Sequence, residues 1–221
     1  MNFDFDLAAS SFPILLIGAL VTIKITAISV ALGVVIGLVV GVARISQVKP
    51  LRLLAMAYID FLRGTPLLVQ IFLIYFALPV ISGQRVDPFF AAITACSINS
   101  GAYVAEIFRS GIQSIDKGQM EAGRSLGMTW LQTMWHIILP QAVKRVIPQI
   151  GNEFIALLKD SSLVSVIGFE ELTRSGQLII ARTYGSLENL PCVAIIYLVM
   201  TLSISQLVAY LERRFRTDDK H

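Results

Sequence analysis

The sequence predicts an all-α, polytopic membrane protein, and three features of the 221-residue chain lead to this fold class. Its residues are 55% hydrophobic with a mean hydropathy of +0.72. Only 15% are charged, against roughly 25% in a typical soluble domain. The charged residues also form short clusters between long uncharged runs. Such runs indicate membrane spans, which are expected to be helical because lipid cannot satisfy their backbone polar groups.

Five apolar runs predict five transmembrane helices in one membrane domain, residues 1–221. The predicted spans cover about residues 20–43, 64–84, 88–113, 146–169 and 189–211. A span needs about 20 residues to cross a hydrocarbon core of ~30 Å. Apolar character already begins near Pro13, so Pro13 to Leu20 are expected to lie at the membrane interface before the first span. A hairpin of two spans is disfavoured there, because no turn signal divides the run.

The basic residues predict the orientation. Most of the 18 lysine and arginine residues fall in segments 44–63 and 109–145 and in the C-terminal tail, whereas the opposite loops collect acidic residues. The positive-inside rule therefore predicts an N-terminus outside and a C-terminus in the cytoplasm, which agrees with an odd number of spans. The acidic start of the chain argues against a secretory signal peptide. The basic balance is thus explained by the membrane, and no nucleic-acid partner is expected.

A polar segment between the third and fourth predicted spans, residues 116–140, is too polar to cross the membrane. Apolar residues at positions 128, 131, 134, 135 and 138 recur at helical spacing. We expect two short helices joined at Gly127 and ended at Pro140, lying along the membrane surface. Such a rigid protrusion would fit the cleft of a partner. The simpler alternative is an amphipathic helix that only lies on the lipid surface.

Part of this segment, Gly118 to Ser125, nearly matches the phosphate-binding loop of nucleotide-binding proteins. However, Arg124 stands where that loop has lysine, and no buried strand precedes it to build the strand–loop–helix geometry. We therefore do not expect this chain to bind a nucleotide. The isolated His136 and His221 likewise predict no metal site.

The same segment resembles the EAA loop of the permease subunits of bacterial ABC importers. The resemblance rests on the spacing of six residues, the third of which is glycine where the pattern has alanine: Glu121, Ala122, Gly123, Gly127, Leu139 and Pro140. Residues 61–70, 100–109, 151–155 and 159–163 are similar to the polar amino-acid branch of that family. The resemblance extends from about residue 13 to 216.

This resemblance implies the type I ABC importer permease fold, with cytoplasmic coupling helices formed by the six residues named above. It implies a multi-pass, non-catalytic subunit in the bacterial cytoplasmic (inner) membrane, surrounded by lipid. The implied partners are a second permease copy, identical or homologous, two ATP-binding-cassette ATPase subunits, and an extracytoplasmic amino-acid-binding protein. ATP and magnesium would be held by the ATPase, and this chain would bind no cofactor. The solute would be a polar amino acid such as glutamine, arginine, histidine or glutamate.

The fourth predicted span carries two acidic residues, Glu153 and Asp160. A charge near the bilayer centre costs roughly 2.5–3.5 kcal/mol on insertion scales, so its presence indicates function or pairing. Seven residues separate the two carboxylates, which places them on one helix face with Gln149 and Asn152, and Ala156 leaves room between them. We expect this stripe to hold the ammonium group or a cationic side chain of the substrate.

Asn99 and Ser100 of the third predicted span could add neutral hydrogen bonds to that substrate beside Gly101. The structural alternative is that one of the acidic residues pairs with Lys159 or Arg109 and only stabilises helix packing. Both interpretations stay open on the sequence alone.

Two further stretches predict breaks in the helices. Arg63, Gly64, Thr65 and Pro66 should interrupt the chain at the cytoplasmic end of the second span, with Asp60 and Arg63 paired one turn apart. This break is either a hinge for alternating access or a static kink. Residues 159–162 should interrupt the fourth span near the solute pathway.

Two other function classes compete with an ATP-driven importer. A stand-alone ion-coupled transporter or channel would use Glu153 and Asp160 as a relay, but usually carries an internal repeat that is not visible here. An intramembrane enzyme would need a motif such as His-Glu-x-x-His or Gly-x-Ser-x-Gly, and none is visible.

Overall fold

The structure is a computed structural model that describes residues 4–215. Residues 4–215 form a helical bundle and contain no β-strand. The α-helices are α1 (Phe5–Ile45), α2 (Lys49–Gly64), α3 (Leu67–Phe72), α4 (Leu78–Ser82), α5 (Pro88–Gln113), α6 (Lys117–Ser125), α7 (Trp130–Thr133), α8 (Leu139–Asp160), α9 (Leu172–Thr183) and α10 (Ser186–Phe215). Two π-helical turns, Leu73–Ala77 and Met134–Ile138, join α3 to α4 and α7 to α8, and a 3-10 helix, Ser161–Ile167, follows α8.

Two helices within residues 4–215, α1 and α10, are long and apolar enough by themselves to cross a membrane. The pair Lys49–Gly64 and Leu67–Ser82 passes the same test as one broken span, bent by 106°. Helices α5 and α8 carry too many polar residues to qualify as membrane spans by themselves. Their polar side chains therefore need to be buried against other helices of the bundle. The protein is therefore a polytopic helical membrane protein, and five remains the predicted number of crossings.

Helix α1 is a single uninterrupted helix of 41 residues. At 1.5 Å per residue it is about 61 Å long, twice the thickness of the hydrocarbon core. Pro13 lies inside it without ending it, and no hairpin divides it. The stretch Pro13 to Leu20 is thus helical and continuous with the predicted span, while its depth in the membrane stays a prediction. Asp4 begins the helix by accepting a hydrogen bond from the Leu7 N–H at 3.0 Å.

Helix α5 lies at the centre of the bundle and packs against α1, α2, α3 and α8. Small residues make this possible, because glycines of α1 bring the two backbones close together. Gly33 faces Ser100, and Gly37 faces Val104, so α1 and α5 run parallel. A parallel pair requires the chain to return across the bundle between them, through α2, α3 and α4.

The predicted break at Arg63–Pro66 is present, since α2 ends at Gly64 and α3 begins at Leu67. The buried Gln70 side chain holds the bend: its Nε2 donates to the Leu62 carbonyl at 2.9 Å and to the Thr65 carbonyl at 3.1 Å. The bend thus has internal hydrogen bonds, and whether it also moves stays a prediction.

The predicted pairing of Asp60 with Arg63 is wrong, because both ion pairs of the described residues involve Glu106 instead. The Arg63 guanidinium lies over the Tyr103 ring, 5.3 Å from its centroid. Stacking on an aromatic face competes well with an exposed ion pair, which contributes little in water.

The fourth predicted span is interrupted, as residues 159–162 predicted. Helix α8 ends at Asp160 and tightens into the 3-10 helix Ser161–Ile167, which Gly168 closes at φ +80°. Only a residue without Cβ adopts this backbone conformation without strain.

A buried carboxylate joins α9 to α1 and α10. Glu171 caps α9 by accepting from the N–H groups of Thr173 and Arg174 at 2.9 and 2.8 Å. It also accepts from the Tyr197 hydroxyl at 2.8 Å and the Thr22 hydroxyl at 3.4 Å. Burial raises the pKa of this carboxyl, and the four hydrogen bonds act in the opposite direction.

The contact between α1 and α5 predicts a difference between two glycine substitutions. In Gly37→Ala the new Cβ would lie 2.6 Å from Val104 and 2.9 Å from the Ala105 backbone nitrogen, so the helices must separate. In Gly41→Ala the nearest atom is 3.6 Å away, an ordinary contact. We expect Gly37→Ala to destabilise the protein by about 1–3 kcal/mol and Gly41→Ala to leave it nearly unchanged. Thermal unfolding of the purified proteins measures both, and equal midpoints would contradict the packing.

Candidate functional site

The first candidate site is the segment from α6 to the start of α8, in which the predicted pair of helices is present. Asp116 begins α6 by accepting from the Gly118 N–H. After α6 the chain reverses at Gly127, which has φ +85°, and the Met128 N–H returns to the Gly123 carbonyl at 3.1 Å. The second helix begins with a capping box in which Thr129 and Gln132 bond each other's backbone N–H groups.

The second helix does not end at Pro140, so that prediction is wrong. Helix α7 continues through the π-helical turn Met134–Ile138 into α8, and Pro140 lies in the first turn of α8. Proline lacks an N–H and clashes with the carbonyl four residues before it, and a wider turn accommodates both defects. The chain is therefore helical without a break from Trp130 to Asp160.

Gly123 explains why this chain departs from the alanine of the EAA pattern. It is buried where α6 crosses the second helix, and an added Cβ would lie 2.6 Å from Thr133 Cγ2 and 2.9 Å from Thr133 Oγ1. Threonine is stiff at this bond, so it cannot move away easily. The glycine thus sets the close approach of α6 to α7.

The outer side of this segment is exposed and largely apolar. Glu121 and Ala122 are exposed, and Leu126 is 82% exposed, so they are not used in packing within the chain. Three large side chains of the second helix are more than half exposed: Trp130, Leu131 and Trp135. An exposed apolar patch with a polar rim indicates a surface for another protein or for the membrane. We call Glu121, Ala122, Leu126, Trp130, Leu131 and Trp135 the docking face.

The second candidate site is a cleft between α5 and α8. It has a volume of about 320 Å³ and is lined by Ile107, Gln149, Asn152, Glu153 and Ala156. Of the six predicted substrate residues, three therefore line one cleft. Glu153 is half-buried, whereas Gln149 and Asn152 are exposed to the open side.

Ser100 lies close to this cleft. Its side chain is fully buried and its hydroxyl makes no hydrogen bond of standard geometry within residues 4–215, although the Glu153 carboxyl is near enough to interact with it. Asp160 is exposed and lies about two turns after Glu153, at the C-terminal end of α8. Its charge reaches Glu153. The sequence thus predicted a group that the fold does bring together. Ser100 therefore lies behind Glu153 and interacts with it from within the bundle, and it is not part of the cleft lining.

Asn99 lies elsewhere. It is buried, and its Nδ2 donates to Gln70 Oε1 at 3.0 Å, on the side of the bend between α2 and α3. The structure therefore does not bring Asn99 together with Glu153.

The proposed pairing of Glu153 or Asp160 with Arg109 or Lys159 is absent from residues 4–215. Arg109 instead holds Glu106, with its Nε donating to both carboxylate oxygens at 2.9 Å. Arg44 approaches the same carboxylate at 3.8 Å, and the charge of Arg63 also reaches it. We call Arg44, Arg63, Glu106 and Arg109 the Glu106 cluster. The sequence reasoning missed it, although the spacing of Glu106 and Arg109 was a signal for at least that pair.

The fold, the two-helix segment and the charged cleft define the class of this protein, and the chain belongs to the family described as the inner membrane component of binding-protein-dependent transport systems. The family model matches residues 33–217. The protein is therefore a multi-pass inner-membrane component of such a system.

Relatives cover nearly the whole chain. The glutamine transport system permease protein GlnP of Escherichia coli K12 is 44% identical over 98% of this chain and 99% of its own length. The arginine transport system permease protein ArtQ of Bacillus subtilis 168 is 40% identical over 99% and 100%.

Solved structures of similar chains support the same architecture. A chain of a crystal structure of an amino acid ABC transporter with histidines is 46% identical, with a TM-score of 0.94 and coverage of 97% and 100%. A chain of an inward-facing methionine transporter, MetNI, shares 22% identity over 92% and 97%, with a TM-score of 0.77, and so supports the fold alone.

The contact at Gly123 leads to a test by substitution. Gly123→Ala should force α6 away from α7, at an overpacking cost of about 1–3 kcal/mol. Amide hydrogen exchange across residues 117–139 should become faster. The double variant Gly123→Ala, Thr133→Ala removes the clashing atoms and should restore slow exchange, and a single variant that exchanges like wild type would refute the contact.

Proposed function

We propose that this chain is the transmembrane subunit of an ATP-driven importer for a polar amino acid. The observation that carries the proposal is the unbroken helical path from Trp130 to Asp160. One end of this path belongs to the docking face, and the other carries Glu153 and the polar cleft. A movement imposed on the docking face is thereby coupled mechanically to the cleft.

The cleft has the chemistry to hold an amino acid. Glu153 is a half-buried carboxylate without a cation partner among the described residues, and carboxylates in that setting favour a positively charged ligand. The α-ammonium group would lie at Glu153, with Asp160 as a second negative charge. Gln149 and Asn152 would hydrogen-bond the polar parts of the substrate, while the buried Ser100 would support Glu153 from behind.

The docking face would receive the ATPase. Its exposed tryptophans and leucines suit a cleft on a soluble partner, and the turn at Gly127 makes it a rigid element rather than a loose loop. Two ATPase subunits would serve two permease copies, with ATP and magnesium held entirely on the ATPase. The permease itself would carry out no catalysis.

The remaining partners follow from the predicted orientation, with the N-terminus outside and the C-terminus in the cytoplasm. A second copy, identical or homologous, would close the open side of the cleft, since the exposed residues of α8 need cover within the membrane. An extracytoplasmic amino-acid-binding protein would deliver the substrate. The names of the relatives support glutamine or arginine as the first substrates to measure.

Replacing Glu153 tests the substrate role of the cleft. Glu153→Gln keeps the size of the side chain but removes the charge, and losing a charge-assisted hydrogen bond costs about 1.5–3 kcal/mol. Uptake of the amino acid by vesicles containing the complete importer and saturating binding protein should therefore fall by roughly tenfold or more.

The matched control is Glu170→Gln, which neutralises an exposed carboxylate outside the cleft and should leave uptake unchanged. Wild-type uptake by Glu153→Gln would remove this residue from the substrate site. Uptake by the wild type in vesicles without ATP would favour the ion-coupled relay instead.

The docking face predicts a second loss of function with a different signature. Glu121→Lys reverses an exposed charge, and Gly127→Pro cannot adopt φ +85°. Both should abolish ATP-coupled uptake and co-purification of the ATPase, while the protein still inserts into the membrane.

Glu212→Lys, an exposed charge reversal near the end of α10, serves as the control and should retain the ATPase. Normal uptake in both Glu121→Lys and Gly127→Pro would show that the ATPase is coupled elsewhere.

A further inference from the structure

The Glu106 cluster is unbalanced in charge and in hydrogen bonds. Three guanidinium groups lie around one carboxylate, whose two oxygens are already occupied by Arg109. Arg44 reaches this carboxylate only at 3.8 Å, beyond hydrogen-bond distance. The cluster therefore has spare positive charge and spare donors.

Arg44 shows this most clearly. Its side chain is about four-fifths buried, and its Nη1 atom is enclosed without a hydrogen-bond partner among residues 4–215. A buried charged donor without an acceptor is costly, because it has lost water and gained nothing. The favourable effect of a cation at the C-terminus of a helix explains an exposed arginine in the last turn of α1, but not an enclosed one.

Arg63 is the second arginine of the Glu106 cluster with unused donors, and its charge also reaches Glu106. Its Cζ lies over the Tyr103 ring, 5.3 Å from the centroid, and this contact uses none of its N–H donors in a hydrogen bond to an oxygen. It forms neither an ion pair nor a side-chain hydrogen bond within residues 4–215, and Asp60, one turn earlier on α2, is not its partner. Guanidinium groups from the ends of α1 and α2 thus belong to one cluster, in which the charges of Arg44 and Arg63 both reach the Glu106 carboxylate.

We propose that Arg44 and Arg63 bind the phosphate of an anionic phospholipid headgroup near the ends of α1 and α2, beside the pair formed by Glu106 and Arg109. Arginine forks match the oxygens of a phosphate, and Arg44 and Arg63 both carry donors that Glu106 does not use, whereas Arg109 donates to Glu106 and Gln113. Basic pockets between membrane helices on the cytoplasmic side suit such headgroups.

The surroundings favour a lipid over free phosphate as the source of this group. The last turns of α1 and α2 expose apolar side chains next to the arginines: Val42 by 65%, Ile45 by 44% and Phe61 by 57%. These surfaces would lie along the glycerol and acyl chains of a lipid, whereas a free anion would have no use for them. The site is separate from the cleft and does not depend on the substrate.

The test measures lipid binding by the assembled importer, purified in neutral detergent and titrated with phosphatidylglycerol in native mass spectrometry. Arg44→Gln and Arg63→Gln should each weaken binding by roughly tenfold, the effect of losing one charged hydrogen bond. Arg44→Lys should lose less lipid affinity than Arg44→Gln, because lysine keeps the positive charge although it lacks the forked donors of the guanidinium group. Arg52→Gln removes an exposed cation of α2 outside the cluster and should change affinity by less than about twofold.

Wild-type affinity in both Arg44→Gln and Arg63→Gln would overturn the proposal, and Arg63, being exposed, provides the test if Arg44→Gln fails to assemble. Competition with inorganic phosphate separates the two sources of the anion. Retained lipid supports a headgroup site. Displacement of the lipid by millimolar phosphate would overturn the proposal. Variants that lose ATPase subunits but keep the lipid would overturn it as well.

Discussion

The structure depends on one constraint: inside a membrane, polar groups must find their partners within the protein. Gln70 meets it at the bend after α2, where its amide supplies the donors for the carbonyls freed by Pro66. Glu171 meets it with four hydrogen bonds from three elements. The buried polar atoms without hydrogen-bond partners among residues 4–215 are therefore informative, and they include the Ser100 hydroxyl behind the cleft and Nη1 of Arg44 in the Glu106 cluster.

The continuity of the second helix gives the two candidate sites a physical connection. A break at Pro140 would have separated the docking face from the membrane bundle. The π-helical turn Met134–Ile138 instead accommodates the proline and keeps the helix intact as far as Asp160. A helix transmits displacement along its axis far better than a flexible loop. In this account ATP-driven motion at the docking face therefore moves Glu153 and the cleft with it.

The elements that the sequence predicted well are those set by composition and local chemistry. Hydropathy indicated the membrane fold, Gly127 marked the turn, and residues 159–162 marked the break in the fourth span. What it could not predict depends on contacts between distant residues. Nothing local shows that Asn99 bonds to Gln70 or that Arg63 stacks on Tyr103. The continuation past Pro140 was also out of reach, because a proline ends some helices and is absorbed by a π turn in others.

Distances within the second helix of the working importer test most directly whether this helix moves as one rigid element. Spin labels at positions 132 and 144, in a chain whose Cys96 and Cys192 are replaced by serine, would lie about 18 Å apart along an intact helix. When ATP is added, we expect this distance to stay constant while the distance from position 144 to a label at position 42 on α1 changes. A change between positions 132 and 144 would show that the helix bends at the π turn, and would contradict the proposed coupling.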